Sequence, residues 1–243
     1  MRLALLHARI EILDLGRYPT FVAPTLAFPA LAFLFFVVPR ADADNGNALM
    51  AAYMAFGFLT VAFFEFGVGI AEERASPWDR FLRTLPAPVW THLTGRIMAS
   101  LVFATAPGVI VVVLALSLTP VDLTPSEWLA LALTLVAGTV PFGLLGIALG
   151  YTISPRGALP TANLLFFALA YLGGLFTGLE GLPETIRALS IAVPTGAWSE
   201  LLASAVTPEP LRPAAVISLA GWTIAFAALA AWAYRRNEGL QYR

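Results

Sequence analysis

Long apolar stretches separated by short polar ones dominate the sequence. A hydrocarbon core of about 30 Å needs roughly 20 apolar residues in one helix. Six stretches approach that length, and a charge interrupts them only at Glu65. These predicted membrane spans are 21–38, 48–70, 97–118, 129–153, 159–179 and 214–233. The pattern therefore predicts an all-α membrane protein with six transmembrane helices.

The arginines are distributed unevenly between the two sides of the predicted bilayer. Most lie before the first span, between spans two and three or four and five, and after span six. Only Arg40, Arg187 and Arg212 fall on the other side, where the loops are acidic. Because cytoplasmic loops carry the excess of positive charge, both termini are predicted to be cytoplasmic.

Composition excludes most chemical functions. The chain is 59% hydrophobic and 12% charged, whereas a soluble domain carries roughly 25% charged residues. All 14 basic residues are arginine, so the chain lacks the lysine with which a P-loop reaches the phosphates of ATP. It has no cysteine, and His7 and His92 are too few for a histidine metal site. We therefore expect no enzymatic activity, and no metal or cofactor bound by this chain.

Residues 1–19 form a mixed apolar and charged leader before the first span. Four apolar positions share one helical face, which suits a helix lying in the membrane interface. They are Leu3, Leu6, Ile10 and Leu13. Charges within the leader interrupt the apolar core that a secretory signal peptide needs. The alternative is a plain cytoplasmic leader.

The predicted cytoplasmic loop 71–96 contains a short helix with its own start and stop signals. Ser76 suits the N-cap, Pro77 suits the first helical position, and Asp79 completes a capping box. Pro86 ends the helix, which is predicted over Ser76–Leu85. Apolar residues spaced i, i+3, i+4 and i+7 form one face of it. They are Trp78, Phe81, Leu82 and Leu85.

This short helix has two interpretations. It is either an interfacial helix that spaces two spans, or a coupling helix that inserts into a groove on a cytoplasmic motor protein. Helix-in-groove recognition uses apolar anchors flanked by charges, and charges stand here before the helix and on its opposite face. On the second interpretation the motor-coupling residues are Glu72, Glu73, Arg74, Ser76, Trp78, Asp79, Arg80, Phe81, Leu82 and Arg83.

The order of these motifs resembles the ABC-2 permease family. That family has an acidic and basic start, a short helix and a closing turn, which here are Glu72-Glu73-Arg74, the predicted helix and Thr84-Leu85-Pro86. Ser76-Pro77 stands where the family has a Gly-Thr step, which changes the cap but still starts a helix. The leader ending in Arg17-Tyr18-Pro19 and the long segment after span five are also similar. The resemblance covers residues 1–243 as a single transmembrane domain.

The resemblance implies the membrane-spanning permease subunit of an ATP-driven ABC exporter in the plasma membrane of a bacterium. It implies a separate P-loop ATPase that binds ATP and Mg, and a second permease that is either an identical copy or a related chain. Both permeases would contact membrane lipid. The apolar spans favour an apolar or amphipathic substrate, such as a drug, a lipid or a natural product. The net charge of −1 gives no indication of a nucleic-acid partner.

Residues 180–213 separate spans five and six. Two short helices are predicted there, over 183–192 and 195–206, and both are too short and too polar to cross a bilayer. The family resemblance implies re-entrant helices that dip into the outer leaflet and cap the exit of the substrate path. The alternative is an ordinary external loop on the protein surface.

Two further features concern the interior of the predicted bundle. Glu65 lies near the cytoplasmic end of span two, where a charged group usually faces protein or water. It either snorkels toward the interface, pairs with an arginine such as Arg74 or Arg96, or takes part in proton coupling. Small residues in spans four and five predict close helix packing. They are Gly143, Gly146, Gly150, Gly173, Gly174 and Gly178.

Three other functions are alternatives to the exporter. A secondary carrier needs ion-coupling residues in mid-membrane and inverted repeats, and the sequence shows neither. A membrane enzyme needs a catalytic constellation such as Ser/His or paired carboxylates, and none is apparent. A non-transporting scaffold or assembly subunit of a membrane complex is compatible with the same pattern. A neighbouring gene for a soluble P-loop ATPase would favour the exporter.

Overall fold

The computed structural model describes residues 19–76 and 89–241, and in those ranges the regular elements are helices without strands. In chain order they are α1 Pro19–Ala32, α2 Gly46–Val61, α3 Ile70–Ala75, α4 Val89–Leu118, α5 Pro125–Thr152, α6 Pro155–Leu172, α7 Glu184–Ser190, α8 Pro194–Val206 and α9 Pro213–Gln241. Wider π-helical turns follow α1 at Phe33–Val37 and join α2 to α3 at Ala62–Gly69. The continuous helix Gly46–Ala75 is called the central helix below.

Several described helices have the length and composition of membrane spans. Three are long and apolar enough to cross a membrane, namely Gly46–Ala75, Pro125–Thr152 and Pro213–Asn237. The pair α7 and α8 passes the same test together but is bent by 85°. Shorter apolar helices occupy Leu26–Phe36 and Phe103–Leu118. The chain is therefore an all-helical, multi-pass membrane protein, and the number of six spans stays a prediction.

The central helix forms the interior of the described structure. Of its apolar window, 83% is buried inside the protein, against 39% for α5 and 22% for α9. Tyr53, Phe56 and Phe63 on this helix are fully buried, and the Tyr53 hydroxyl donates to the Phe176 carbonyl at 3.1 Å. Because lipid tails are as apolar as these side chains, close packing rather than water exclusion must hold the helix in place.

A cluster of aromatic rings packs around Phe56 and joins α1 and α6 to the central helix. The Phe56 ring centre lies 5.6 Å from that of Phe28, 4.8 Å from that of Phe166 and 5.1 Å from that of Phe176. The rings are tilted or edge-to-face, as their quadrupoles favour. This cluster therefore fixes three segments that are distant in sequence.

The segment predicted as span five ends earlier than 159–179. Helix α6 stops at Leu172, and the chain then turns through Gly174 and Gly178, whose φ angles are 69° and 76°. Glycine adopts this left-handed backbone without steric cost. These two glycines therefore form a turn and not the helix-packing face that was predicted for them. Gly173 does make a close contact, since a Cβ there would lie 2.4 Å from Thr195 Cβ.

The two short helices predicted between spans five and six are present as α7 and α8, with starts and ends shifted by one or two residues. Together they are called the bent pair. Most of α7 is exposed, whereas α8 is buried from Pro194 to Ser199 and again at Leu202 and Val206. The second helix is thus part of the packed interior and not a surface loop. Its insertion into a membrane leaflet stays a prediction.

Candidate functional site

The described part of the predicted coupling loop begins at the end of the central helix. Helix α3 stops at Ala75, and the Ser76 amide donates to the Glu73 carbonyl at 2.8 Å. Glu72 and Glu73 are exposed, while Arg74 and Ser76 are partly buried. The other predicted coupling residues lie outside the described residues, so the helix predicted for them stays a prediction. They are Trp78, Asp79, Arg80, Phe81, Leu82 and Arg83.

Arg74 holds together the ends of three helices. Its Nη1 donates to the Tyr151 carbonyl at 2.9 Å and to Asn237 Oδ1 at 2.6 Å. Its Nη2 donates to the Ile153 carbonyl at 2.9 Å. Tyr151 and Ile153 lie at the C-terminal end of α5, and Asn237 lies in the last turns of α9. We call this arrangement the three-helix junction.

The charge of Arg74 suits its position in the three-helix junction. The last carbonyls of a helix have no partner within the helix, and the C-terminal end carries a partial negative charge. A guanidinium presents several donors in a planar fork, so it can satisfy carbonyls from two chain segments at once. Arg74 therefore neutralises the end of α5 and links it to the central helix.

Aromatic side chains cover the same junction. The Arg74 guanidinium carbon lies 5.7 Å from the Tyr151 ring centre, within the range of cation–π attraction. The Tyr151 ring meets Tyr234 edge-to-face with centres 5.2 Å apart. Asn237 is only 9% exposed. The junction is thus a partly buried contact among the central helix, α5 and α9, and it contains hydrogen-bonding groups suited to holding structure.

The other end of the central helix is tied by a second polar contact to the loop just before α5 and to the last residue of α8. Asn47 Nδ2 donates to the Asp122 carbonyl at 3.0 Å and to the Val206 carbonyl at 3.4 Å. Asn47 Oδ1 accepts from the Asp122 amide at 3.2 Å. The central helix and α5 therefore lie side by side in the same direction, with side-chain contacts at both ends.

Glu65 lies in the π-helical turns of the central helix and is 5% exposed. These turns pack against the predicted small-residue face of α5. A Cβ at Gly146 would lie 2.4 Å from the Ala62 carbonyl oxygen, and one at Gly150 would lie 2.7 Å from the Phe66 carbonyl oxygen. The prediction of close packing at these glycines is confirmed. The pairing of Glu65 with an arginine and its proton-coupling role stay predictions.

Helix α8 of the bent pair is held to its neighbours by side-chain donors on backbone carbonyls. The Trp198 indole N–H donates to the Thr134 carbonyl of α5 at 2.9 Å. Thr195 Oγ1 donates to the Leu169 carbonyl of α6 at 2.6 Å. Ser199 Oγ donates to the carbonyl of Gly173, the residue after α6, also at 2.6 Å. These bonds satisfy the polar side chains that α8 buries.

A further tryptophan bond joins the bent pair to α9. The Trp222 indole N–H donates to the carbonyl of Ala192, in the link between α7 and α8, at 2.8 Å. The bent pair is thus bonded directly to α5, to the end of α6 and to α9. The prediction that the bent pair caps the exit of a substrate path stays a prediction.

The role of Arg74 as an internal link was not predicted from the sequence. The sequence placed it among residues that contact a motor protein, and its partners Tyr151 and Asn237 carried no signal of their own. One clue was available, because a basic residue at a helix end often binds orphan carbonyls. No group of acidic or histidine side chains that could hold a metal ion occurs among the described residues.

Comparison with known proteins agrees with this architecture. The sequence matches the family described as ABC-2 type transporter over residues 7–205. It is also similar to YvfS, a protein of Bacillus subtilis (strain 168) named as a transport permease. The two are 24% identical over 188 residues, which are 73% of this chain and 77% of YvfS.

Proposed function

Because the chain belongs to the ABC-2 type transporter family, we propose that this transport permease is the membrane-spanning subunit of an ATP-driven exporter. The family match carries the proposal, since it extends over residues 7–205 and includes the predicted coupling loop and the bent pair. The similarity to a protein named as a transport permease supports it.

ATP and Mg are bound by a separate subunit in this proposal. Permeases of this family generally work with an ATP-binding subunit. The present chain has no lysine, and a P-loop needs that residue at the phosphates. A P-loop ATPase partner would therefore supply the energy, and the helix predicted over Ser76–Leu85 would receive its movement.

The arginine-rich end of the bundle faces the cytoplasm in this proposal. Arg74, Arg156, Arg235 and Arg236 all lie at or after the ends of membrane-crossing helices on that side, in accord with the positive-inside rule. The three-helix junction then adjoins the predicted coupling helix directly. The bent pair lies at the other end, where substrate would leave.

The proposed substrate is apolar or amphipathic. Large apolar side chains are exposed on α1 and α6, among them Phe28, Leu31, Leu164 and Phe167. Such a surface on a multi-pass membrane protein suits contact with lipid, with a second permease or with an apolar substrate, and it offers no charge to a polar one. A second copy of this chain, or a related permease, would complete the path.

The proposal is tested by identifying what copurifies with the chain from its native host in mild detergent. We expect a soluble protein carrying the P-loop signature, whose recovery is abolished by Phe81→Asp in the predicted coupling helix. The matched control is Leu211→Asp, which places the same charge on an exposed residue of the loop before α9. That control should leave ATPase recovery unchanged.

One outcome would contradict the exporter, and another would contradict only the position of the coupling helix. If the folded wild-type chain recovers no P-loop ATPase, the scaffold subunit or the secondary carrier becomes the better explanation. If ATPase recovery persists with Phe81→Asp, the exporter stands but the coupling helix is wrongly placed. Size-exclusion chromatography of each variant shows whether the protein is folded, so that a loss of recovery is not confused with a loss of structure.

A further inference from the structure

The three-helix junction and the bent pair are attached to the same two helices. Helix α5 accepts the Arg74 bond at Tyr151 and the Trp198 bond at Thr134. Helix α9 carries Asn237, which accepts from Arg74, and Trp222, which donates to the link within the bent pair. Each of these helices therefore connects one end of the molecule to the other.

The connected contacts are far apart along each helix. At a rise of about 1.5 Å per residue, Thr134 and Tyr151 are separated by about 26 Å along α5, and Trp222 and Asn237 by about 22 Å along α9. A displacement at the junction would thus reach the bent pair through two helices that run side by side. Tyr151 and Tyr234 keep those two helices in contact at the junction.

The bonds at Arg74 leave little freedom for independent movement. They are 2.6 to 2.9 Å long, and a hydrogen bond is lost beyond about 3.5 Å. Just before the junction along α5, Gly146 and Gly150 bring this helix into backbone contact with the central helix. If the Arg74 guanidinium moves by more than about 1 Å, it must therefore either break these bonds or carry α5 and α9 with it.

We propose that Arg74 is a positioning residue that transmits movement of the coupling loop to the bent pair through α5 and α9. This inference rests on the proposed function, because the movement would come from an ATPase bound at that loop. Arg74 stands two residues before the helix predicted over Ser76–Leu85. Movement of that helix would act on α5 and α9 through the Arg74 guanidinium, and the bent pair would shift with them.

A purely structural role for Arg74 is the competing explanation. A cap on the end of α5 would stabilise the fold without linking ATP hydrolysis to the bent pair. The two explanations differ in the movement of the bent pair per ATP hydrolysed, measured on folded protein. A structural cap would change the yield of folded protein but not that ratio.

The chain lacks cysteine, so introduced cysteines give unique positions for spin labels. We choose Leu189→Cys on α7 and Leu116→Cys on α4, since these side chains are 67% and 58% exposed. Helix α4 is the reference because none of the bonds described above joins it to the three-helix junction or to the bent pair. The distance between the labels is measured in lipid nanodiscs that contain the copurifying ATPase, with and without ATP and vanadate. ATP hydrolysis is measured on the same samples.

The wild-type chain should show a change in this distance when nucleotide is trapped. With Arg74→Gln we expect hydrolysis to continue while the shifted population falls about tenfold, a size typical of coupling between sites. The control Arg156→Gln removes an exposed arginine at the start of α6, on the same side of the protein, and should leave both measurements unchanged. An undiminished distance change in folded, hydrolysing Arg74→Gln would overturn the inference.

Two further variants keep the test decisive if Arg74→Gln does not fold. Arg74→Lys keeps the charge but cannot reproduce the planar fork, so a partial loss of the distance change is expected. Asn237→Leu removes the contact with α9 and leaves the two carbonyl bonds to α5, so a smaller loss is expected. If both variants retain the full change, Arg74 does not transmit the movement.

If the proposed function is wrong, the wild-type chain copurifies with no ATPase. This result is distinct from a failure of the inference about Arg74. The labels then report on the isolated permease. Arg74→Gln should broaden the distance distribution between the bent pair and α4, and Arg156→Gln should not. Identical distributions in the two variants would overturn the link between Arg74 and the bent pair, whatever drives its movement.

Discussion

Gly138→Ala adds a single methyl group at the point where the bent pair meets α5. A Cβ at Gly138 would lie 1.9 Å from Trp198 Nε1, 2.2 Å from its Cδ1 and 2.3 Å from its Cε2. The Trp198 side chain is fully buried, and its ring packs on Phe142 with centres 5.3 Å apart. Because the indole cannot swing into free space, it must leave its position or push α8 away from α5.

The magnitude follows from three contributions to the free energy of unfolding. Overpacking a close-packed interior costs about 1–3 kcal/mol, and we expect the upper value because three ring atoms are too close. Loss of the Trp198 bond to the Thr134 carbonyl costs about 1 kcal/mol. Replacing glycine by alanine within a helix returns about 1 kcal/mol. The net destabilisation is therefore about 3 kcal/mol.

Thermal unfolding of the purified protein in detergent measures this effect. For a chain of this size, 1 kcal/mol corresponds to about 2–4 °C in Tm, so Gly138→Ala should lower Tm by about 6–12 °C. The control is Gly221→Ala in α9, where an added Cβ meets nothing within 4 Å. It has the same change in helix propensity without the clash, so Tm should rise by about 2–4 °C.

The cause of the effect is isolated by repeating the substitution after Trp198→Leu. Removing the indole vacates the space that the new methyl group needs, so Gly138→Ala should then cost little, and the two changes should be strongly non-additive. The reasoning is refuted if Gly138→Ala unfolds at the same temperature as Gly221→Ala. It is equally refuted if its cost is undiminished in the Trp198→Leu background.

Two other substitutions test neighbouring contacts by the same unfolding measurement. Gly146→Val should destabilise the protein by at least the roughly 1–3 kcal/mol of overpacking, because its Cβ would lie 2.4 Å from a backbone oxygen of the central helix. The control is Gly221→Val, where the added side chain has open space. Equal Tm values for the two variants would contradict close packing at Gly146. Trp222→Phe keeps an aromatic ring but removes the donor to the Ala192 carbonyl, so it should cost about 1 kcal/mol. An unchanged Tm would mean that this bond does not hold the bent pair.

The helices could be predicted from the sequence because apolar runs and breaker residues act locally. The segments 183–192 and 195–206 were predicted as helices, and α7 and α8 begin and end within two residues of those limits. Pro194 at the first position of α8 shows why, since proline fixes a backbone angle that suits a helix start. The prediction of a helix over 159–179 was wrong in its last third, because hydropathy does not register the left-handed turn at Gly174.

The partners of the site could not be predicted in the same way. Apolar periodicity marks the face that a helix buries, but it does not say which helix end will lie beside which. Arg74 was singled out for its charge and its place before a predicted coupling helix. Its binding to the end of α5 depends on the tertiary packing of helices that are far apart in sequence, and the sequence shows this only through unremarkable residues such as Tyr151 and Asn237.

The acceptors of the main interhelical hydrogen bonds explain why the helices could be predicted from the sequence but their partners could not. Arg74, Thr195, Trp198 and Trp222 all donate to backbone carbonyls of other segments. A carbonyl is present at every residue, so the accepting position leaves no mark in the amino-acid sequence. In an apolar environment a donor must find a partner within the protein, and glycines that let backbones approach decide which carbonyl is in reach. The donors and the glycines, rather than the accepting side chains, therefore determine how the helices of this permease are joined.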